Sequence, residues 1–380
     1  MKKISIVLCL THRCNLNCVY CYERHDSFHE MSFDVAKAII DKVAHQYDTN
    51  NTHIEFLLFG GEPLLRFSLI QSIVQYIRTT EHFPHHNVFA PTNGTVLTDE
   101  MKAWLVENKE QFVLGLSLDG AKSTQDRNRS NSFDRIDLGF FKTTWPTQNV
   151  KMTVSRGSIS NYANDVIFIH QQGFGINGAD FCIATQDWKD ASILSIFARQ
   201  MSRLVDFYST DNNYEKYYNT IFNRDLAACV ALNRSREKYC GVGDTLLFYD
   251  SDGIAYPCTM LTPMNLTSKQ INSLQDVDFS NHEIFVDKEC FANCLIYPIC
   301  NKCYAGNYIN NGRFDAYSKD ECNLKELEAL YLAEFEARKI MANPSVYDKQ
   351  KLYLTIEAIK QIKERYYPKY ESLCLTDKWE

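Results

Sequence analysis

The sequence predicts an α/β fold whose first part is a partial, TIM-like (β/α)6 barrel. Six short apolar runs alternate with helical segments from the start of the chain to about residue 225. Strands that alternate with helices pair in parallel through right-handed crossovers, which gives an open or partial barrel. Polar or glycine-containing motifs directly follow four of these runs. This placement is typical of function at the carboxyl ends of parallel strands.

Apolar runs predict the strands, and periodic apolar positions predict the helices between them. Ser32 is the expected cap of the first helix, with Asp34 in its first turn. Strands are expected at 4–10, 53–59, 87–90, 112–118, 150–154 and 179–184. Helices are expected at 33–46, 67–79, 99–108 and 161–172.

The sequence pattern of the second half of the chain predicts less regular secondary structure. A long helical connection over 191–232 is expected to lead into a loop-rich region, 238–322, with one hairpin around Ser251-Asp252-Gly253. So little apolar periodicity favours stapling by metal over a conventional core. Two helices are expected after it, on either side of Asn343-Pro344, and their apolar stripes are packing faces.

Composition indicates a soluble globular protein of one large and one smaller domain. The chain has 380 residues, of which 45% are hydrophobic and 23% are charged. A formal charge of −7 argues against nucleic-acid binding as the main activity. No apolar run is long enough to span a bilayer, and the N-terminus lacks the layout of a signal peptide. We therefore expect a cytoplasmic protein without a membrane partner.

Fourteen cysteines are the unusual feature of the composition, and they are clustered. Three lie between positions 14 and 21, and seven lie between positions 240 and 322. In a cytosolic chain, such clusters are better explained as metal ligands than as disulfides. Four cysteines stand alone and are expected to be small buried hydrophobic residues: Cys9, Cys182, Cys229 and Cys374.

The first cluster is Cys14, Cys18 and Cys21, directly after the first predicted strand. Three thiolates in one short loop are able to hold a single iron–sulfur cluster, which leaves one iron without a protein ligand. An open metal position is where chemistry takes place. A zinc loop is the alternative, although structural zinc usually takes its ligands as two separated pairs.

With Gly-Gly-Glu-Pro at the end of the next strand, the chain resembles the radical S-adenosylmethionine (SAM) enzymes. The resemblance implies a [4Fe–4S] cluster on Cys14, Cys18 and Cys21, with the amino and carboxylate groups of SAM on the open iron. Tyr20 then lies near the adenine. The resemblance assigns the methionine ammonium to a motif of four residues: Gly60, Gly61, Glu62 and Pro63. Glycines allow close backbone approach to a ligand, and a carboxylate pairs with an ammonium.

Four further positions match cofactor-binding residues of that family. Thr92 and Asn93 match a polar pair near the ribose or methionine, and Ser117 and Arg129 match residues that hold the cofactor carboxylate. The family often has a His-Asp pair where this chain has Gln125-Asp126. A surface charge is the alternative explanation of Arg129.

The seven downstream cysteines resemble the SPASM extension, which binds two auxiliary iron–sulfur clusters, expected here as [4Fe–4S]. Both outer spacings of the central run differ by one residue from the usual form. The resemblance implies one cluster on Cys290, Cys294, Cys300 and Cys322. It implies a second on Cys240, Cys258 and Cys303, with an open iron or an unidentified fourth ligand, for which Cys229 is a weak candidate. A zinc ribbon is the alternative. The implied domains are the barrel with linking helices (1–232), the SPASM domain (233–323) and a helical segment (324–380).

The resemblance implies an oxidoreductase that reductively cleaves SAM to a 5′-deoxyadenosyl radical and abstracts hydrogen from a peptide or protein. We predict a maturase that forms a thioether, carbon–carbon or carbon–oxygen bond in a ribosomally made peptide (a RiPP). Flavodoxin or ferredoxin is the expected electron donor, and a separate protein is a candidate for leader binding. No general base is identified.

Two other functions stay open. Anaerobic sulfatase maturation to formylglycine is disfavoured, because Thr259 follows Tyr256-Pro257-Cys258 where that type carries a basic Asp. An iron–sulfur electron-transfer protein is disfavoured because it needs no cofactor pocket such as Gly-Gly-Glu-Pro implies.

Overall fold

The computed structural model describes residues 1–23, 29–181, 188–232, 235 and 238–373. Cys182, Cys374 and the end of the sixth predicted strand lie outside the described residues. The chain divides into two compact units. Unit 1 comprises Met1–Leu118, Gln125–Val150 and Lys238–Asn281. Unit 2 comprises Asp119–Thr124, Lys151–Glu237 and His282–Glu380. Within the described residues, no helix is long and apolar enough to cross a membrane.

All six predicted barrel strands are present. The strands are β1 Lys2–Thr11, β2 Thr52–Gly60, β3 His86–Thr92, β4 Phe112–Leu116, β5 Val150–Val154, β6 Ile176–Phe181, β7 Leu246–Tyr249 and β8 Ala255–Tyr256. One sheet has the order β4-β3-β2-β1-β7-β8, and β5 and β6 form a second. In the larger sheet every pair is parallel except the β7–β8 hairpin. The predicted α/β fold with a parallel sheet is confirmed.

Helices connect the strands and form the C-terminal segment. They are α1 Phe33–Gln46, α2 Phe67–Thr79, α3 Asp99–Glu107, α4 Lys122–Asn128, α5 Leu138–Thr144, α6 Tyr162–Gln171, α7 Ala191–Ser209, α8 Asn213–Lys216, α9 Ser268–Leu274, α10 Lys288–Asn293, α11 Tyr304–Asn311, α12 Lys319–Ala342 and α13 Lys349–Tyr370. The expected cap of α1 is confirmed, because the side chain of Ser32 accepts from the backbone N–H of Val35 at 3.2 Å.

The core of unit 1 explains why β1 is apolar along most of its length. β1 pairs with β2 on one side and with β7 on the other, so its residues from Ile4 onward are almost all buried. β2 instead alternates between buried and half-buried residues. The predicted hairpin is confirmed, but it also extends the parallel sheet beside β1, which the sequence did not predict.

The predicted helix over 191–232 is wrong beyond its first half. α7 ends at Ser209, and only the short α8 and one turn of 3-10 helix at Leu226–Cys229 follow. Asp211 and Asn212 have φ values of 51° and 53°, in the left-handed region. Such residues end a right-handed helix, and Asp and Asn are the side chains that tolerate this conformation best. The domain limits proposed from the sequence stay a prediction.

Candidate metal and cofactor site

The loop that follows β1 brings Cys14, Cys18 and Cys21 into one neighbourhood. The pKa of Cys14 is raised to about 11 and that of Cys21 to about 12, mainly by burial and also by the nearby Cys18 thiol. Cys14 also raises the pKa of Cys21. Three half-buried thiols that repel one another as thiolates favour a bound cation or metal cluster.

The segment after α4 holds the cysteine loop on both sides of Cys18. The backbone N–H of Asn17 donates to the hydroxyl of Ser130 at 2.9 Å, and the backbone N–H of Val19 donates to the carbonyl oxygen of Asn128 at 2.9 Å. Arg129 lies between these two anchors. Ser130 has a left-handed φ of 53°, so the chain turns sharply at this point.

The Gly-Gly-Glu-Pro motif at the end of β2 packs directly on the strand end that precedes the cysteines. The backbone N–H groups of Gly61 and Glu62 donate to the carbonyl oxygens of Thr11 at 3.0 Å and Arg13 at 2.9 Å. A Cβ atom on Gly61 would lie 2.5 Å from the Arg13 carbonyl oxygen and 3.0 Å from Cβ of Cys14. Only glycine fits here, because backbone atoms occupy the space of any side chain.

Glu62 presents a buried carboxylate at this strand end. Its Oε1 accepts hydrogen bonds from the Thr92 hydroxyl at 2.8 Å and the Leu64 N–H at 3.1 Å. Its Oε2 accepts from the Asn93 N–H at 2.8 Å. Burial raises the pKa of Glu62 to about 7, although these hydrogen bonds and Arg129 lower it. A cationic ligand would stabilise the ionised form.

An amide network joins the cysteine loop to the end of β3. The side-chain NH2 of Asn93 donates to the side-chain oxygen of Asn15 at 2.9 Å, and the NH2 of Asn15 donates to the hydroxyl of Thr95 at 2.8 Å. Thr92 and Asn93 are both buried. The structure therefore brings three predicted cofactor elements together: the cysteine loop, Glu62 and the Thr92-Asn93 pair.

Arg129 and Tyr20 form a contact beside this network. The guanidinium carbon of Arg129 lies 5.3 Å from the ring centre of Tyr20. Arg129 is only 7% exposed, so it is not a surface charge. Ser117 is half-buried, and its backbone N–H donates to the Thr92 carbonyl oxygen at 2.9 Å. Pro63 is buried and starts a turn of 3-10 helix, Pro63–Arg66.

A buried polar cluster near the cysteine loop has no counterpart in the sequence prediction. Nε2 of His12 and Oδ1 of Asp250 are 2.5 Å apart, and this hydrogen bond raises the pKa of His12. Cys9 and the two side chains have metal-ligand atoms within 4.8 Å of one another. Two ligands of one tetrahedral ion with bonds of about 2.1 Å stand more than about 3 Å apart. The His12–Asp250 pair is therefore a hydrogen-bonded clamp between the ends of β1 and β7.

Glu23 is a second buried carboxylate in this region that sequence reasoning missed. Burial raises its pKa to about 7, which His12 lowers and Asp250 raises. Its Oε1 has no hydrogen-bond partner among the described residues. Next to it, the hydroxyl of Tyr22 donates to the hydroxyl of Thr259 at 3.4 Å. No spacing rule singles out these residues, because β1 and β7 become neighbours only in the folded chain.

The downstream cysteines of unit 2 form a second neighbourhood of thiols. Burial raises the pKa values of Cys290 to about 11 and Cys322 to about 12. The nearby Cys294 and Cys300 contribute to both increases. The Sγ atom of Cys294 also lies 3.9 Å from the hydroxyl of Tyr366. These four cysteines thus influence one another electrostatically, and their assignment to one cluster stays a prediction.

The other predicted cluster set stays a prediction. Cys240 and Cys303 are exposed and Cys258 is half-buried. Cys240 and Cys258 belong to unit 1, whereas Cys303 belongs to unit 2, where its sulfur accepts from the Gly306 N–H at 3.3 Å. Cys229 is buried.

Comparison with known proteins identifies the first part of this chain. Residues 8–138 match the Radical SAM superfamily. The chain contains a radical SAM domain. The matched range includes the cysteine loop, Gly-Gly-Glu-Pro and the Thr92-Asn93 pair, so the resemblance drawn from these motifs is confirmed. A radical SAM domain implies an enzyme with SAM and a [4Fe–4S] cluster as cofactors.

Relatives and solved structures extend the similarity beyond this domain. A cysteine-type anaerobic sulfatase-maturating enzyme of Clostridium novyi is 22% identical over 79% of this chain and 87% of its own length. The structure of native anSMEcpe with bound AdoMet has a TM-score of 0.68 at 20% identity, covering 90% of this chain and 99% of that one. Streptococcus suis SuiB bound to precursor peptide SuiA has a TM-score of 0.57 at 16% identity, covering 84% and 76%. These similarities show that the chain shares the fold of these structures.

The residues present fit the implied cofactors. The three thiols of the cysteine loop suit an iron–sulfur cluster, and the buried Glu62 carboxylate suits the ammonium of SAM. The fit rests on a carboxylate whose pKa is raised by burial to about 7, because a cation near it would relieve the cost of burying its charge.

Proposed function

We propose that this radical SAM enzyme is a peptide maturase that oxidises or crosslinks a ribosomally made peptide by hydrogen abstraction. The observation that carries this choice is the hydroxyl pair of Tyr22 and Thr259, 3.4 Å apart. The sulfatase-maturating type, as drawn from the sequence resemblance, carries a basic Asp at the position of Thr259. A threonine hydroxyl does not act as a base at neutral pH, so formylglycine formation lacks its usual proton acceptor here.

Residues of unit 1 would hold the cofactor. Cys14, Cys18 and Cys21 would bind the cluster, and Glu62 would accept hydrogen bonds from the methionine ammonium. Bound there, SAM and the reduced cluster would supply a 5′-deoxyadenosyl radical for hydrogen abstraction from an unactivated carbon. Arg129 would hold the methionine carboxylate. Its position over Tyr20 fixes the guanidinium in place before the cofactor arrives.

The network around the cysteine loop would keep these groups in register. Asn15 and Asn93 are bonded side chain to side chain at 2.9 Å, and the Asn93 N–H also bonds Glu62 at 2.8 Å. A shift of the cysteine loop would therefore also displace Glu62, the carboxylate that would accept hydrogen bonds from the methionine ammonium. Preorganisation of this kind is what holds a reactive centre at the distance that hydrogen abstraction requires.

The thiols of unit 2 would bind an auxiliary [4Fe–4S] cluster on Cys290, Cys294, Cys300 and Cys322. The pKa values of Cys290 and Cys322 are raised mainly by burial and to a smaller extent by the neighbouring thiols, and this half-buried group of thiols supports a shared metal group. After hydrogen abstraction, bond formation in an oxidised product requires the loss of one further electron. An auxiliary cluster would accept that electron. A second cluster on Cys240, Cys258 and Cys303 is part of the same proposal.

Sulfatase maturation is the second candidate, because a sulfatase-maturating relative aligns with 79% of the chain. A different carboxylate would then have to replace the missing Asp. Glu23, with a pKa raised by burial to about 7, is the buried carboxylate beside Tyr22 that meets this need. For the peptide maturase, we also propose flavodoxin or ferredoxin as the electron donor and a separate protein that binds the leader of the peptide.

The two candidates are separated by mass spectrometry of the product. Reconstituted enzyme, SAM and dithionite are incubated with short peptides encoded beside the gene, and in parallel with a sulfatase peptide in its Cys and Ser forms. The proposal expects loss of two hydrogen atoms from a neighbouring-gene peptide, with a crosslink located by fragmentation. An aldehyde on the sulfatase peptide, trapped by a hydrazine, with no change in the other peptides would contradict it.

A further inference from the structure

Helix α13 places a buried tyrosine hydroxyl against one of the downstream cysteines. Residues spaced four apart share one face of a helix, and on α13 they form a buried row: Ala358, Ile362, Tyr366 and Tyr370. The hydroxyl of Tyr366 lies 3.9 Å from Sγ of Cys294, within the range of a hydrogen bond to sulfur. The sequence pattern predicted only a packing face here, whereas the structure adds a polar contact to a thiol.

The same face of α13 contacts the segment that follows Cys322. The hydroxyl of Tyr370 lies 2.7 Å from Oε2 of Glu326 and 3.2 Å from Oδ1 of Asn323. Asn323 directly follows Cys322, and Glu326 lies about one helical turn after it in α12. All of these residues belong to unit 2. Helix α13 is therefore fixed against α12 beside one cysteine, while its Tyr366 contacts another.

The hydroxyl group of Tyr366 is explained by the sulfur atom better than by packing. A phenylalanine would fill the same space, and burying a hydroxyl without a partner costs free energy. Tyr366 is 4% exposed, and among the described residues its hydroxyl has Sγ of Cys294 as a partner. The backbone N–H of Cys294 donates to the Cys290 carbonyl oxygen at 2.8 Å, so the end of α10 fixes the position of this cysteine.

Binding of iron determines which of the two groups is the donor. A cysteine binds metal as a thiolate, which carries no proton. The phenol of tyrosine is protonated at neutral pH and is able to donate its hydrogen. In the loaded protein, the hydrogen bond therefore runs from the Tyr366 hydroxyl to the Cys294 sulfur.

We propose that Tyr366 is a positioning residue for the auxiliary cluster on Cys290, Cys294, Cys300 and Cys322, donating an O–H···S hydrogen bond to Cys294 and raising the reduction potential of the cluster. This inference rests on the cluster of the proposed function. Hydrogen bonds to cluster sulfurs are one of the factors that set the potential. Reduction adds one electron and therefore negative charge, so a donor to sulfur stabilises the reduced form more than the oxidised form. Tyr366 thereby favours transfer of one electron from the substrate radical, which is oxidised, to the cluster, which is reduced.

The test is a redox titration followed by electron paramagnetic resonance. The background is the reconstituted full chain without the ligands of the other clusters, obtained by changing to Ala the residues Cys14, Cys18, Cys21, Cys240 and Cys258. Tyr366→Phe removes only the hydroxyl, and Tyr366→Met is a second variant. The matched control is Tyr353→Phe, since Tyr353 lies on the same helix and is 69% exposed. Iron content is measured for every variant.

For Tyr366→Phe, we expect unchanged iron and an equilibrium constant for one-electron reduction about three- to tenfold lower, which is a decrease of about 28–59 mV. In deuterated buffer, pulsed paramagnetic resonance of the background protein should detect an exchangeable deuteron coupled to the reduced cluster, and Tyr366→Phe should lack it. Tyr366→Met should lower the constant by a similar factor, and it is read in place of Phe if the Phe variant does not fold. Tyr353→Phe should leave both iron and potential unchanged.

Two results would overturn the inference. One is a full iron complement with the potential of the background protein in both Tyr366 variants. The other is loss of iron from both of them while Tyr353→Phe keeps it, because Tyr366 would then hold the fold of the site without tuning the cluster. If Cys290→Ala and Cys322→Ala remove no iron from the same background, the cluster itself is absent, which is a failure of the proposed function.

Discussion

The backbone N–H of Asn93 donates to Oε2 of Glu62 at 2.8 Å, which ties the end of β3 to the carboxylate at the end of β2. Asn93 also bonds Asn15 of the cysteine loop, so one residue connects three elements of the cofactor site. The carboxylate of Glu62 is thereby fixed, and Arg129 lowers its pKa only against the larger effect of burial. Binding of a cationic cofactor should therefore depend on the ionisation of Glu62.

The affinity for SAM should rise with pH through the pKa of Glu62, which burial raises to about 7. The ammonium of SAM pairs with the ionised carboxylate, so affinity should fall up to tenfold for each pH unit below the pKa. Glu62→Gln should bind about 10- to 100-fold more weakly at pH 8, through loss of a charge-assisted hydrogen bond. Its binding should also lose the pH dependence. Calorimetric titration with SAM between about pH 6 and about pH 8 measures both effects.

Without SAM, the free energy of unfolding should change with pH in the direction opposite to that of SAM affinity. Because the pKa of Glu62 is raised in the folded state, its contribution to stability is present while it is protonated and decreases as pH rises toward about 7. A Glu62→Gln protein should therefore be at least as stable as wild type above neutral pH without SAM. If Glu62→Gln loses stability as well as SAM affinity, its weaker binding results from a misfolded site.

Arg129 should set the midpoint of that pH dependence. It lowers the pKa of Glu62, against the larger effect of burial, and it lies over the ring of Tyr20. Arg129→Met should raise the pKa of Glu62, so the pH at which SAM binding reaches half its maximum should increase. Arg129→Lys keeps the charge and should shift the midpoint less. The same titration series measures this, and an unchanged midpoint in the Met variant would contradict the electrostatic role.

Gly61→Ala should disrupt the cysteine loop. The added Cβ would lie 2.5 Å from the carbonyl oxygen of Arg13, and a backbone atom of the paired strand end cannot move aside cheaply. Overpacking of this kind costs about 1–3 kcal/mol of unfolding free energy. Urea denaturation should show that loss, and reconstituted iron should decrease.

Gly139→Ala is the matched control for Gly61→Ala. A Cβ on Gly139 meets only Oδ1 of Asp137 at 3.4 Å, and the residue lies within α5. Alanine in a helix is favoured over glycine by about 1 kcal/mol, so this variant should be as stable as wild type or more stable. Equal losses in both glycine variants would refute the packing argument at Gly61.

His170 should make unit 2 sensitive to acid. Burial lowers its pKa from 6.5 to about 4, and its ring contacts the Phe174 carbonyl oxygen at 2.9 Å and the Tyr208 hydroxyl at 2.6 Å. The unfolded chain binds a proton below about pH 6.5, so stability should decrease by about 2–3 kcal/mol between pH 7 and pH 4. His170→Gln should remove most of that slope in denaturation curves. A slope equal to that of wild type would show that other groups cause it.

The sequence was sufficient wherever local chemistry determines structure. The Ser32 cap predicted α1, and Gly60-Gly61 correctly marked the end of the apolar run that forms β2. The same motifs predicted which elements would meet around Glu62. These features depend on residues near one another in the chain or on the common edge of parallel strands.

The remaining features depend on contacts that no local pattern encodes. The addition of β7 beside β1 brought Asp250 to His12, and it brought Thr259 to Tyr22. Helix α7 ends at Ser209, just before the left-handed residues Asp211 and Asn212, although its periodicity predicted continuation.

The formation of 5′-deoxyadenosine tests the central claim most directly. Anaerobically reconstituted wild-type protein, reduced with dithionite in the presence of SAM and a substrate peptide, should form it. A triple variant with Cys14, Cys18 and Cys21 changed to Ala should form none, while it keeps the iron of the downstream cysteines. Cys9→Ala, which removes a lone buried thiol of β1, should retain both the iron and the cleavage. Continued cleavage by the triple variant, or no cleavage by loaded wild-type protein, would contradict the assignment of a radical SAM centre to the cysteine loop.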